Sequence, residues 1–192
     1  MARILSRNSE WTSRELSGCL SGGGIAVAPC DTICGILGHV PDTESGIRDI
    51  KGRAETKPFI VLQSSAELIV AASEQTIPEQ LLGLWPGPLT LVVATGVGTT
   101  GFRVPADPFL RGVLDSTGPL YSTSVNFAGR PALCKISEII DQFSDRVELI
   151  VDGGDLVGRV ASTVLDVSTT PYRLLRPGAV ELPEEIRALC EH

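Results

Sequence analysis

Residues 22–35 read GGGIAVAPCDTICG, and three consecutive signals in them decide the fold class. Gly22-Gly23-Gly24 stops the helical pattern before it, because residues without side chains have little helix propensity. Ile25 to Ala28 is a short apolar run suited to a buried strand, and Pro29, which has no N–H for a ladder, ends it. Cys30-Asp31-Thr32-Ile33-Cys34 then leaves the strand end as a polar island, where open α/β sheets carry their crevice. A phosphate-cradling glycine turn would follow a strand and open a helix, whereas this one precedes a strand.

The same alternation continues outward. Thr12-Ser13-Arg14-Glu15 has the form of a capping box, with Leu16 and Leu20 following at i, i+4. Asp42 is placed to cap a helix carrying Ile47 and Ile50. Phe59 to Leu62 reads as a strand, Ser65 opens a helix, and Ile77 to Leu84 reads as another. Two prolines make Trp85-Pro86-Gly87-Pro88 a rigid turn. Leu89 to Ala94 is a strand, and Asp107-Pro108 is an N-cap followed by proline at the first helical position. Leu120 to Thr123, Val147 to Val151 and Thr163 to Val167 complete a sheet of about seven strands. Pro183 begins a short C-terminal helix. The stretch Gly96 to Gly101, GVGTTG, has glycine enough to move. With no repeat, linker or low-complexity run, the chain is expected to be a single α/β domain over residues 1–192, its motifs lying between about 22 and 180.

Composition narrows the function. The chain is 43% hydrophobic and 20% charged, ordinary for a packed domain and unlike a disordered one. No run approaches the roughly 18 apolar residues of a membrane span, and the N-terminus turns polar after Leu5, so a cytoplasmic protein with no membrane association is expected. Five scattered cysteines suit reduced thiols, and no second Cys or His pair completes a structural metal site with Cys30 and Cys34. The net charge of −7 argues against a protein that grips RNA mainly by its phosphates.

Familiar catalytic signatures are missing. There is no G-x-x-x-x-G-K-[ST], G-x-S-x-G or H-E-x-x-H, and the two histidines are His39 and His192. What remains is a series of polar and basic islands. Lys51-Gly52-Arg53, followed by Lys57-Pro58, offers cations suited to a triphosphate or to a solvated helix end. Arg103, inside the apolar run Phe102-Arg103-Val104-Pro105, needs a partner, either a buried carboxylate or a ligand's. Ser122-Thr123-Ser124-Val125-Asn126 is a dense hydrogen-bonding cluster at a strand end. Ala161-Ser162-Thr163-Val164 and Leu175-Arg176-Pro177-Gly178 complete the set.

In this order, the stretches PCDTICG, KGRAETKPF, WPGPLT, FRVP, STSVNFAG, VDGG, STV and RPG resemble the YrdC/TsaC family of threonylcarbamoyl-AMP synthases. They run from Pro29 to Gly178. The resemblance implies an α/β fold: a twisted mixed sheet with flanking helices around a large, positively lined cavity. It implies a nucleotidyltransferase that makes threonylcarbamoyl-AMP and pyrophosphate from L-threonine, bicarbonate and ATP carrying Mg²⁺, with no structural metal. Downstream threonylcarbamoyl transferase proteins would pass the group to tRNA, which this chain would meet only indirectly.

By this resemblance, Lys51 and Arg53 are the catalytic pair on the ATP phosphates, with Lys51 exposed in the cavity and dispensable for folding. Ser124, Asn126 and Arg176 also hold the nucleotide. Arg103 pairs with the threonine carboxylate, and Thr32, Ser162 and Cys30 complete the amino-acid site. The family usually has threonine where this chain has Cys30, and tyrosine where it has Cys34. The first exchange puts a weakly hydrogen-bonding thiol at the threonine site, and the second removes an aromatic wall. Two alternatives accompany this expectation: a non-catalytic RNA-binding or ribosome-assembly factor on the same fold, or a related ATP-dependent enzyme with another amino-acid substrate.

Overall fold

A computed structural model describes residues 1–52 and 58–191. In chain order the elements are β1 (Arg3–Ser6), α1 (Thr12–Ser21), β2 (Ala26–Ala28), β3 (Gly35–His39), α2 (Glu44–Lys51), β4 (Ile60–Leu62), α3 (Ala66–Ala72), α4 (Glu79–Leu82) and β5 (Leu89–Thr95). They continue with β6 (Gly98–Arg103), α5 (Pro108–Thr117), β7 (Leu120–Ser124), α6 (Ile136–Phe143), β8 (Leu149–Asp152), β9 (Thr163–Asp166), β10 (Arg173–Arg176) and α7 (Glu184–Arg187). The strands form one mixed sheet in the order β1-β8-β2-β3-β7-β4-β6-β5-β9-β10. The pairs β1/β8, β2/β8, β4/β6 and β5/β9 are parallel and the others antiparallel.

Among the described residues, ten strands stand where about seven were expected. The additional ones lack a clear apolar run: β1 and β10 are edge strands with largely exposed residues, and β3, GILGH, contains two glycines. The stretch 96–101 is a hairpin rather than a loose segment. Thr95 pairs with Gly98 and Ala94 with Thr99, and Gly98 takes φ 114°, which glycine accepts without strain. Helix α6 also lay outside the sequence-based expectation.

Two caps differ from the sequence reading. Trp11, not Thr12, occupies the N-cap of α1, and the Thr12 hydroxyl donates instead to the Ser6 carbonyl at 2.6 Å. Thr43 occupies the N-cap of α2, while Asp42 faces His39 Nδ1 at 3.0 Å. The Asp107 cap is as expected: its Oδ1 accepts from Phe109 N at 3.0 Å, with Pro108 following.

Side-chain alternation assigns the two faces of the sheet. Ala26, Ala28, Leu37, Leu62 and Leu120 point to one face and pack beneath Leu16 and Leu20 of α1 and Leu110, Val113 and Leu114 of α5. Val27, Ile36 and Ile150 point to the other face and meet Ile47 of α2 and Ile139 and Phe143 of α6. Farther along that second face, Val61, Phe102, Leu91 and Leu165 meet Ile69 of α3, Leu81 of α4 and Ile186 of α7. Arg103, Thr90, Ser122 and Ser124 alternate with these core residues and therefore share the α1/α5 face, beyond the reach of its helices. That polar region holds the candidate site. None of the described helices is long and apolar enough to cross a membrane.

Candidate active site

A cavity of about 170 Å³ opens on this face, lined among others by Cys30, Thr32, Gly35, Arg103, Ser122, Ser124, Ser162 and Arg176. It is small beside the large cavity expected. It brings together Cys30, Thr32, Arg103 and Ser162 with Ser124 and Arg176. Lys51 and Asn126 are not among its lining residues, and Arg53 lies outside the described residues.

Arg103 is only 6% exposed, and its charge is met inside the protein. Nη2 donates to Asp31 Oδ1 at 2.5 Å, Nη1 to Thr32 Oγ1 at 2.8 Å, and Nε to the Gly87 carbonyl at 3.1 Å. The buried carboxylate that the sequence left open as one possible partner is thus Asp31. Its second oxygen accepts from Ala106 N at 3.1 Å, and its carbonyl accepts from Arg159 Nη1 at 3.0 Å. Among the described residues, three of the five Arg103 guanidinium donors are engaged in this way, and the side chain lines the cavity.

Arg176 grips one residue. Its Nε and Nη2 donate to the Ser162 carbonyl at 3.0 and 2.8 Å, and Nη2 also reaches Ser162 Oγ at 3.0 Å. Gly178 allows this close approach, because a Cβ there would lie 2.4 Å from Ser162 C and Thr163 N. Burial, then the positive charge of Arg103, depresses the Arg176 pKa from its usual range. With Arg103 paired to Asp31, Arg176 brings a second guanidinium to the same cavity, a setting that favours an anion.

Lys51 departs from the sequence expectation of a cation exposed in the cavity: it is only 3% exposed. Its ammonium donates to the Ser124 carbonyl at 2.5 Å, the Asn126 carbonyl at 3.0 Å and Asn126 Oδ1 at 2.8 Å. Ser124 Oγ donates to the same Asn126 Oδ1 at 2.6 Å, and Asn126 Nδ2 donates to the Arg130 carbonyl at 2.5 Å. The Lys51 and Ser-x-Asn stretches, both given to the nucleotide by the resemblance, are therefore cross-linked to each other. The reason is helical geometry: α2 ends at Lys51, with Gly52 in the left-handed conformation, so the side chain points inward over the end of β7.

Cys30 and Cys34 both line the cavity and are both buried. Burial pushes the Cys30 thiol up to about 12 and the Cys34 thiol to about 11, so neither supplies a thiolate nucleophile near neutral pH. The sequence did not single out Arg159 or Thr90 as contributors, nor Asp31 as the partner of Arg103. The Arg103–Asp31 contact spans 72 residues, and no local pattern marks it.

Residues 19–178 match the family model Sua5/yciO/yrdC, described as telomere recombination. The chain is 32% identical to the threonylcarbamoyl-AMP synthase of Pyrococcus abyssi, in an alignment that covers 98% of this chain and 60% of that protein. The crystal structure of P. abyssi Sua5 complexed with L-threonine superposes with a TM-score of 0.86 at 29% identity, over 98% of this chain and 61% of that one. The crystal structure of E. coli YciO shares the fold, with a TM-score of 0.84 at 20% identity over 94% of this chain and 98% of that one.

Two predictions follow from the buried groups. Lys51→Ala strands three acceptors of a charged donor and is expected to lower unfolding free energy in urea by about 2–3 kcal/mol; an unchanged midpoint would remove the clamp. For Cys30, the unfolded thiol ionises above its ordinary value of 9.0 while the folded one holds its proton to about 12. Its contribution is complete below pH 9 and lost as pH rises toward 12. Urea midpoints across that range are expected to fall less steeply in Cys30→Ala than in the parent; identical slopes would contradict the assignment.

Proposed function

The chain belongs to the Sua5/YciO/YrdC family, and on that footing we propose that it is a threonylcarbamoyl-AMP synthase. The observation that carries the reading is the cavity itself: two guanidiniums, Arg103 and Arg176, beside the hydroxyls of Thr32 and Ser162. A site of that charge, in a fold shared with a Sua5 crystallised with L-threonine, supports an amino acid and a phosphate as its occupants.

In this reading the spare donors of Arg103 hold the threonine carboxylate, and Thr32, Ser162 and Cys30 surround the rest of the amino acid. Arg176 faces the phosphates from the Ser162 side, and Ser124 from the opposite rim. Arg53 is kept as a phosphate ligand on the resemblance alone. Lys51 and Asn126 serve by fixing the turn that presents Ser124. Threonine's amine takes up bicarbonate with loss of water, and the resulting carbamate oxygen attacks the α-phosphate of ATP. The bond between the α-phosphorus and its bridging oxygen breaks, and pyrophosphate leaves.

No protein nucleophile is required. The protein's contribution is to hold the reactants in line and to neutralise charge as it develops. Mg²⁺ arrives on the triphosphate as part of the substrate. The product passes to a threonylcarbamoyl transferase acting on tRNA, which sets the work in the cytoplasm.

Pyrophosphate release from ATP and bicarbonate is expected to depend on L-threonine and to exceed release with serine or valine. Arg103→Ala is expected to raise the apparent KM for threonine by at least about tenfold, as loss of a charged hydrogen bond does. No threonine-dependent release from folded protein that still binds ATP would overturn the proposal. Greater turnover with another amino acid would overturn threonine, and Cys30 and Cys34 would then be the residues to exchange.

A further inference from the structure

The Trp85–Thr90 stretch takes no part in the chemistry proposed above, yet it contacts the supports of both cavity arginines. The Gly87 carbonyl accepts from Arg103 Nε, and Gly87 N donates to the Val104 carbonyl at 2.9 Å. The Pro88 carbonyl accepts from Thr163 N at 2.9 Å, which ties the turn to the residue after Ser162. Thr90 lies on the cavity face of β5 with 0% of its surface exposed. Its Oγ1 is 2.8 Å from Ser162 Oγ, the same oxygen that accepts from Arg176 Nη2.

We propose that Thr90 is a positioning residue whose hydroxyl fixes the Ser162 side chain and, through it, the plane of the Arg176 guanidinium. A fully buried strand position accepts valine as readily as threonine. A hydroxyl there costs free energy unless it is hydrogen-bonded, and Ser162 supplies that bond. A serine side chain has three staggered rotamers, and the bond to Thr90 selects the one that faces Arg176. The selection matters because Arg176 stands on the exposed edge strand β10 and is repelled by Arg103. Contacts to Ser162 oppose its swing into solvent.

The inference rests on the cavity being the amino-acid site, and its test separates the two ideas. Thr90→Val removes the hydroxyl and keeps the shape, while Thr90→Ser keeps the hydroxyl. Solvent exchange of the Arg176 Nη hydrogens, one of which donates to Ser162 Oγ, followed by ¹⁵N NMR, is expected to quicken about tenfold in Thr90→Val, as the loss of one net hydrogen bond allows, and to stay near the parent rate in Thr90→Ser. In the pyrophosphate assay, Thr90→Val is expected to raise the KM for ATP, whose phosphates Arg176 faces, and the KM for threonine, which Ser162 adjoins, by a similar factor with kcat little changed, and Thr90→Ser to restore both. Unchanged exchange in Thr90→Val, or equal impairment of both variants, would overturn the proposal. A parent protein without threonine-dependent turnover would overturn the functional reading instead, and the exchange rates would still decide the role of Thr90.

Discussion

Arg103 is a guanidinium held inside a sheet, and the surrounding structure follows from the need to satisfy it. Removing such a charge from water costs several kcal/mol unless carboxylate and hydrogen-bond partners compensate. Asp31 supplies the charge, Thr32 a hydroxyl and Gly87 a carbonyl. The partners come from two connections: the turn between β2 and β3 provides the first two, and the turn before β5 the third. One side chain thus ties together loops that are far apart in sequence, and the cavity lies where they converge.

This arrangement reconciles an acidic protein with a site for anions. The net charge of −7 belongs to the whole chain, whereas the cavity is lined by two arginines, one of them paired with Asp31. Local charge governs what a cleft attracts. Lys51 adds stiffness rather than an exposed cation: it joins the end of α2 to the end of β7 and so holds Ser124 at the cavity rim. Thr90, Ser162 and Gly178 do the corresponding work for Arg176 on the other rim.

Much of the fold was legible because local physics fixed it. Asp107-Pro108 caps α5 as the residues demand, Gly22 to Gly24 end α1, and the apolar runs at β2, β4, β5, β7, β8 and β9 are strands. Strand β3 escaped notice because Gly35 and Gly38 carry no β-propensity. Gly38 is needed there because a Cβ would meet Thr43 Oγ1 at 2.1 Å, a tertiary constraint with no local signature. Strand β10, RLLR, lies exposed at an edge and lacks alternation. For the site, the need of Arg103 for a partner was legible, but the choice of Asp31 was not, since it depends on strand order. The exposure expected of Lys51 failed for a related reason: no local signal shows that its side chain turns over the end of β7.

The most direct test of this account is a crystal structure of the protein with L-threonine and a non-hydrolysable ATP analogue. The account predicts the threonine carboxylate within hydrogen-bonding distance of Arg103, close to Thr32, Cys30 and Ser162, with Arg103 still paired to Asp31. An amino acid bound elsewhere, or an Arg103 that leaves Asp31 without touching ligand, would contradict it.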